Sequence, residues 1–172
     1  MQPHSIAMKW SAYLLTAAGL VASGAAASQT TEEFAVIRTI QRFFDAMAER
    51  DVEATSEVVI PEGRFFSVRE EDGKTVVRSF TNQEYMEGLA DREQEVLERF
   101  WEPEVRIDGG IATVRTPYDF YMNGELHHCG IDVFDLVHDG TGWKITGGVY
   151  THETETCPES PLGPPPIDIS VE

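Results

Sequence analysis

Residues 113–138 read TVRTPYDFYMNGELHHCGIDVFDLVH, two runs of alternating polar and apolar residues on either side of Asn123-Gly124. That dipeptide predicts a two-residue type I′ hairpin, because both turn positions need positive φ. The turn fixes the register. Met122 should face Glu125, and from there Asp119 should face His128, Arg115 should face Asp132 and Thr113 should face Phe134. Pro117 marks an alternative, since it cannot donate to a ladder. A one-residue bulge there would send Tyr118 and Phe120 inward in place of Asp119 and Tyr121.

The same reasoning extends to the neighbouring turns. Across DGTG, His138 opposite Trp143 brings Leu136 to Ile145 and Asp132 to Val149; across DGG, Ile107 opposite Ile111 adds Val105, Pro103, Trp101 and Arg99 to that face. An apolar floor of Val105, Ile111, Phe134, Leu136, Ile145 and Val149 then runs into a polar, aromatic-walled mouth. The opposite face, with Val114, Ile131, Val133, Val137 and Tyr150, is too apolar to be simply solvated. A second copy of the chain is the expected cover, which makes a homodimer through the sheet the expected assembly.

Upstream of the strands the period changes. Thr30 and Glu33 have capping-box spacing, and Phe34, Ile37, Ile40, Phe44 and Met47 fall on one helical stripe. Asp51 can cap a second helix, VEATSEVV, ended by Pro61, and Thr81 with Glu84 opens a third. GRFFSVREEDGKTVVRSF reads as two short strands, and EVLERFWEPEVRI as one long strand. Helices first and an antiparallel meander after them define an α+β domain in which about three N-terminal helices cover one sheet face. The proline-rich tail from residue 158 to 172 reads as a solvated extension.

The 172-residue chain opens with a short start carrying Lys9, an uncharged run and the small-residue site Ala25-Ala26-Ala27. This order predicts a signal peptide over residues 1–27 and an exported, periplasmic or secreted domain over residues 28–157. A net charge of −17 disfavours nucleic acid and anionic membrane surfaces as partners. Cys129 and Cys157 are the two cysteines; in an exported protein an intramolecular disulfide is the first reading and a bridge between chains the second. Neither a metal site nor a cofactor is expected. His127 and His128, with His138 or His152, contain metal-ligating groups, but successive strand residues point to opposite faces.

TPYDFYMNGELHHCGIDVFDLVHDGTGWKI, together with AMAERDVEAT at the end of the first helix, resembles the nuclear transport factor 2-like superfamily in its polyketide-cyclase-like (SnoaL-like) or putative lumazine-binding branch. The resemblance implies a curved antiparallel sheet wrapped around helices into a cone with an open mouth, often dimerised through the sheet. Ketosteroid isomerases, scytalone dehydratase, limonene epoxide hydrolase and polyketide cyclases belong to the superfamily, as do members without known chemistry. No motif here matches one of those enzymes residue by residue, so the fold alone does not choose a reaction.

The expected site is therefore a small-molecule cone whose ligand-binding residues are Trp101, Arg115, Tyr118, Asp119, Phe120, Tyr121, His128 and Asp132. Its occupant would be a small hydrophobic or mixed-polarity molecule. Asp132 is either the structural ion partner of Arg115 or, with His128, the proton carrier of an isomerase, dehydratase or cyclase. Four residues apart on one strand, His128 and Asp132 are about 13 Å apart and cannot bond directly. A purely dimeric interaction module is the third reading.

Overall fold

Thr30 and Glu33 exchange the two hydrogen bonds of a capping box and start α1, Thr31–Glu49. The computed structural model describes residues 30–166, so the expected export signal lies outside them. The buried stripe of α1 is Val36, Ile40, Phe43, Phe44 and Met47, rotated from the expected one, and Phe34 is 53% exposed. Arg50 ends the helix in the left-handed region, and the Asp51 carboxylate then accepts the Ala54 N–H to cap α2, Val52–Val58. α3, Asn82–Leu89, opens on the Thr81–Glu84 capping box.

Seven strands form one sheet: β1 Val59–Glu71, β2 Lys74–Thr81, β3 Val96–Phe100, β4 Glu104–Asp108, β5 Ile111–Met122, β6 Glu125–His138 and β7 Trp143–Thr151. Their order is β2-β1-β7-β6-β5-β3, with β4 also on β5. The fold is α+β as expected, but the sheet is mixed, because β1 runs parallel to β7. Pro61 does not close a helix; it lies within β1, which begins directly after α2. The single strand expected over residues 95–107 is two, interrupted at Trp101–Pro103, where Glu102 takes φ 48°. Gly147 allows β1 to close on β7: a Cβ there would sit 2.0 Å from the Arg64 carbonyl oxygen.

The Asn123-Gly124 turn forms as expected, with positive φ at both residues and Met122 opposite Glu125. Beyond it the register slips. Tyr121 pairs with Leu126 but Phe120 pairs with His128, so His127 is an extra residue bulged out of the ladder. The expected pairings Asp119–His128, Arg115–Asp132 and Thr113–Phe134 become Phe120–His128, Thr116–Asp132 and Val114–Phe134. The slip is the one weighed for Pro117, but it arises at His127. Its physical reason is burial: it puts Val114, Tyr118 and Phe120 inside, each worth about 1.5–3 kcal/mol, where the unslipped register would bury Arg115 and Asp119 among apolar groups.

A second bulge, at Thr146, sets Asp132 opposite Tyr150 rather than Val149, so Tyr150 turns inward and Val149 outward. At DGG the turn is tighter than expected: Asp108 pairs with Ile111, and Ile111 is 59% exposed instead of joining the floor. The core is an aromatic cluster in which Phe43 and Phe44 of α1 meet Phe65, Phe100 and Phe134 of the sheet.

On the outer face Arg99 grips Asp119 with two bonds, Nε to Oδ1 at 2.9 Å and Nη2 to Oδ2 at 2.6 Å. Its Nη2 also donates to the Gly163 carbonyl, so the start of the tail packs on the domain rather than running free. Cys129 and Cys157 form the expected disulfide, with Cα atoms 5.7 Å apart. Cys129 pairs with Glu153, not His152, and the Glu153 carboxylate accepts the N–H groups of Glu155 and Thr156 to turn the chain back.

Removing one partner of the buried Arg99–Asp119 pair leaves the other uncompensated, so Arg99→Ala should lower stability by about 3 kcal/mol. Arg115 pairs with Glu104 in solvent, and Arg115→Ala should cost less than about 1 kcal/mol. Urea melts of the two variants check this; equal losses would contradict it.

Candidate functional site

Between α1, α3 and the concave sheet face lies a cavity of about 550 Å³. Phe43, Phe65, Phe80 and Tyr85 line one wall with ring centroids 5.5–6.0 Å apart between neighbours. Of the eight expected ligand-binding residues, Tyr118, Phe120, His128 and Asp132 line it. The other four do not, because the His127 bulge and the phase of β3 turn them outward. Arg115 is on Glu104, Asp119 and Tyr121 are with Arg99, and Trp101 sits in an outer groove with Pro117 and Ile131.

Tyr118 stands opposite Gly130, whose missing side chain lets the phenol cross β6 and donate to the Thr151 carbonyl at 2.8 Å. Asp132 is buried, as its alternation with Phe134 and Leu136 predicts, but it has no arginine partner. Its acidic neighbour is Glu98 of β3, which lines the same cavity and is near enough that each carboxyl shifts the other. The Arg115 ion pair of the sequence reading is therefore not present.

Loss of solvation pushes Asp132 up to about 8, and the hydrogen bond from Glu98 pulls slightly the other way. Glu98 is held well above the usual carboxylate range by burial first, then by the charge of Asp132, its hydrogen bond to it and Asp119, with Arg92 opposing. With its value near 8, Asp132 is predominantly protonated at neutral pH, and Glu98 is shifted in the same direction. Asp132 Oδ2 and the Tyr85 hydroxyl are buried and have no hydrogen-bond partner on the protein. Burial also raises Tyr85 and Tyr118, so both phenols keep their protons.

At the rim the bulge breaks strand alternation, and the reason given against joint ligation by His127 and His128 fails here. Their Nδ1 atoms are 2.9 Å apart, and His128 stacks on His152 with centroids at 3.9 Å. Burial, followed by the charges of His152, His127 and Arg69, lowers His128 to about 3. His152 falls to about 4 through burial, then Arg69, His127 and Arg78, against Glu153. Neutral imidazoles of this kind are poor proton carriers at pH 7 but good metal ligands.

Sequence reasoning missed Glu98, Tyr85 and Tyr150, and it set His152 aside as a metal ligand. β3 offers two phases, Val96-Glu98-Phe100 and Leu97-Arg99-Trp101, both apolar at two of three positions, so alternation could not choose between them. Tyr150 was lost to the bulge at Thr146.

Three helices held in the curve of a mixed seven-stranded sheet, with a cavity between the layers, make an NTF2-like fold. The chain belongs to the family described as "Putative lumazine-binding", whose model matches residues 31–151. An NTF2-like protein from Cytophaga hutchinsonii has a similar structure, with a TM-score of 0.58 and 15% identity over 72% of this chain and 99% of that one. A protein of unknown function from Mycobacterium tuberculosis gives 0.57 and 14% identity over 70% of each chain. A protein from Streptomyces avermitilis, named "putative dehydratase from the NTF2-like family", gives 0.52 and 16% identity over 69% of this chain and 94% of that one. At these identities the likeness concerns the fold. No curated protein matches the chain.

The acid pair has a pH signature. Because the folded value of Asp132 lies above its ordinary 3.8, the folded chain holds protons that the unfolded chain has released; this contribution is complete below 3.8 and is lost as pH rises through about 8. The depressed histidines act in the opposite sense, contributing above their ordinary 6.5 and losing it as pH falls. Asp132→Asn isolates the first effect: the variant should gain on the parent as pH rises from about 4 to 8. A stability difference that stays flat over that window, measured by urea melts, would contradict the assignment.

Proposed function

We propose that the cone binds a small neutral molecule with an apolar or aromatic body and hydrogen-bond acceptors at one end. The observation that carries this is the pair of orphaned polar atoms, Asp132 Oδ2 and the Tyr85 hydroxyl, on residues that line an otherwise largely aromatic cavity. Buried polar groups without partners are rare and are satisfied when a ligand supplies the missing contact. A protonated Asp132 donates to a carbonyl or ring nitrogen, while Phe65, Phe80 and Tyr85 offer faces for stacking. The family description suggests the chemistry: lumazine is a flat pteridine bearing two carbonyl groups, and its size and polarity suit such a cavity.

Export with cleavage after Ala27, and pairing of two chains through the outer sheet face, belong to the same proposal. The Cys129–Cys157 disulfide supports an oxidising compartment, and the exposed Phe66 and Val149 support a covered sheet. The second reading is a proton-transfer enzyme of the isomerase or dehydratase type. It is supported by the raised value of Asp132, which puts a carboxyl near the operating pH, and by the name of the Streptomyces avermitilis neighbour. In it Asp132 would move the proton and Glu98 would steady the charge left behind; His128, held neutral, would not be the second carrier.

Titration with lumazine, followed by its fluorescence, should show one saturable site per chain. Asp132→Ala should weaken it roughly tenfold, the value of one hydrogen bond from a strongly polar group. Saturable binding indifferent to that substitution, or none for lumazine and related neutral bicyclic heteroaromatics, would contradict the proposal.

A further inference from the structure

We infer that His127, His128 and His152 form a site for one divalent transition-metal ion at the mouth of the cone, with the open side of the ion facing the cavity. His127 and His128 come from β6 and His152 from the residue after β7, and the backbone irregularity gathers them, since the bulged His127 and the in-register His128 both reach the rim. One ring nitrogen from each lies within 4.8 Å of the others, and the closest pair is 2.9 Å apart. Two imidazoles bound to a tetrahedral ion at about 2.0–2.1 Å place their nitrogens about 3.3 Å apart. That value falls between the two observed limits, so small ring rotations suffice.

The surroundings are those of a ligand cluster rather than of three hydrogen-bonded core histidines. Among the described residues, the hydrogen-bonding contact of these three rings is the one between His127 and His128, and no carboxylate or carbonyl engages them. His127 is exposed, His128 buried and His152 half-buried, which leaves a route for the ion from solvent and a dry side toward the cavity. Arg69 lines the same cavity, with Glu71 4.0 Å from its Nε. The absence of carboxylates in the cluster disfavours hard ions such as Mg²⁺ and Ca²⁺, which are held by oxygen. Imidazoles select the zinc, cobalt, nickel and copper class.

Three protein ligands leave one tetrahedral position for water or for an oxygen or nitrogen atom of a bound molecule. The polar end of such a molecule would then be held at the rim and its body in the cone. The metal site does not depend on the identity of that molecule, nor on Asp132.

The test uses the full chain without a polyhistidine tag, with CoCl₂ as the spectroscopic probe and ZnSO₄ as competitor. One Co²⁺ per chain should bind with the intense visible bands of a tetrahedral nitrogen site and be displaced by Zn²⁺. His127→Ala, which changes an exposed side chain, and His152→Ala should each weaken binding roughly tenfold or more, and His138→Ala should leave it unchanged. Absence of the tetrahedral spectrum at saturating Co²⁺, or binding that survives either His127→Ala or His152→Ala, overturns the inference.

Discussion

One extra residue in the β5–β6 ladder determines what the cone contains. Strand side chains alternate with period two, so the bulge at His127 exchanges the inner and outer sets of β5 relative to β6. Val114, Tyr118 and Phe120 move in; Arg115, Asp119 and Tyr121 move out. The exchange removes the cation that would have neutralised Asp132 and frees Asp119 to pair with Arg99 beneath the tail. It also brings His127 beside His128. The cavity chemistry and the outer-face ion pair therefore follow from the same local irregularity.

Within the cone, electrostatics and packing are coupled. An isolated carboxylate among Phe134, Tyr118 and Tyr150 would carry a large desolvation penalty, and the protein meets it by protonation rather than by an ion pair. Glu98 reinforces this, because two adjacent buried acids cannot both ionise cheaply. The raised acids add little negative charge to a cavity that Glu84, Arg69 and Arg92 also line. On the outer face an acid is instead matched by a cation, with Asp119 doubly bonded to Arg99 and largely shielded from water.

Local chemistry was the legible part of the sequence. Both capping boxes, the Asp51 cap, the Asn123-Gly124 turn and the inward position of Asp132 each depend on a few neighbouring residues, and each is present. The cysteine pairing followed from the even count and the expectation of export. What could not be read were long-range choices between nearly equal alternatives: the two phases of β3, and the two bulges that relieve a conflict visible only when whole strands are paired. Pro117 drew attention to the correct slip at the wrong residue, since nothing in the character of His127 announces a bulge. Glu98 was hidden for the same reason, and with it the partner that sets the state of Asp132.

Asp132 is a carboxylic acid beside Glu98, not a carboxylate paired with an arginine. Carbon-13 NMR of the side-chain carboxyl of Asp132, followed as a function of pH in the folded protein, reads its protonation directly. The structure predicts that Asp132 remains protonated well above the usual carboxylate range and titrates near 8, with the Glu98 carboxyl responding to the same event. Titration of Asp132 at or below its ordinary 3.8, independent of Glu98, would contradict it.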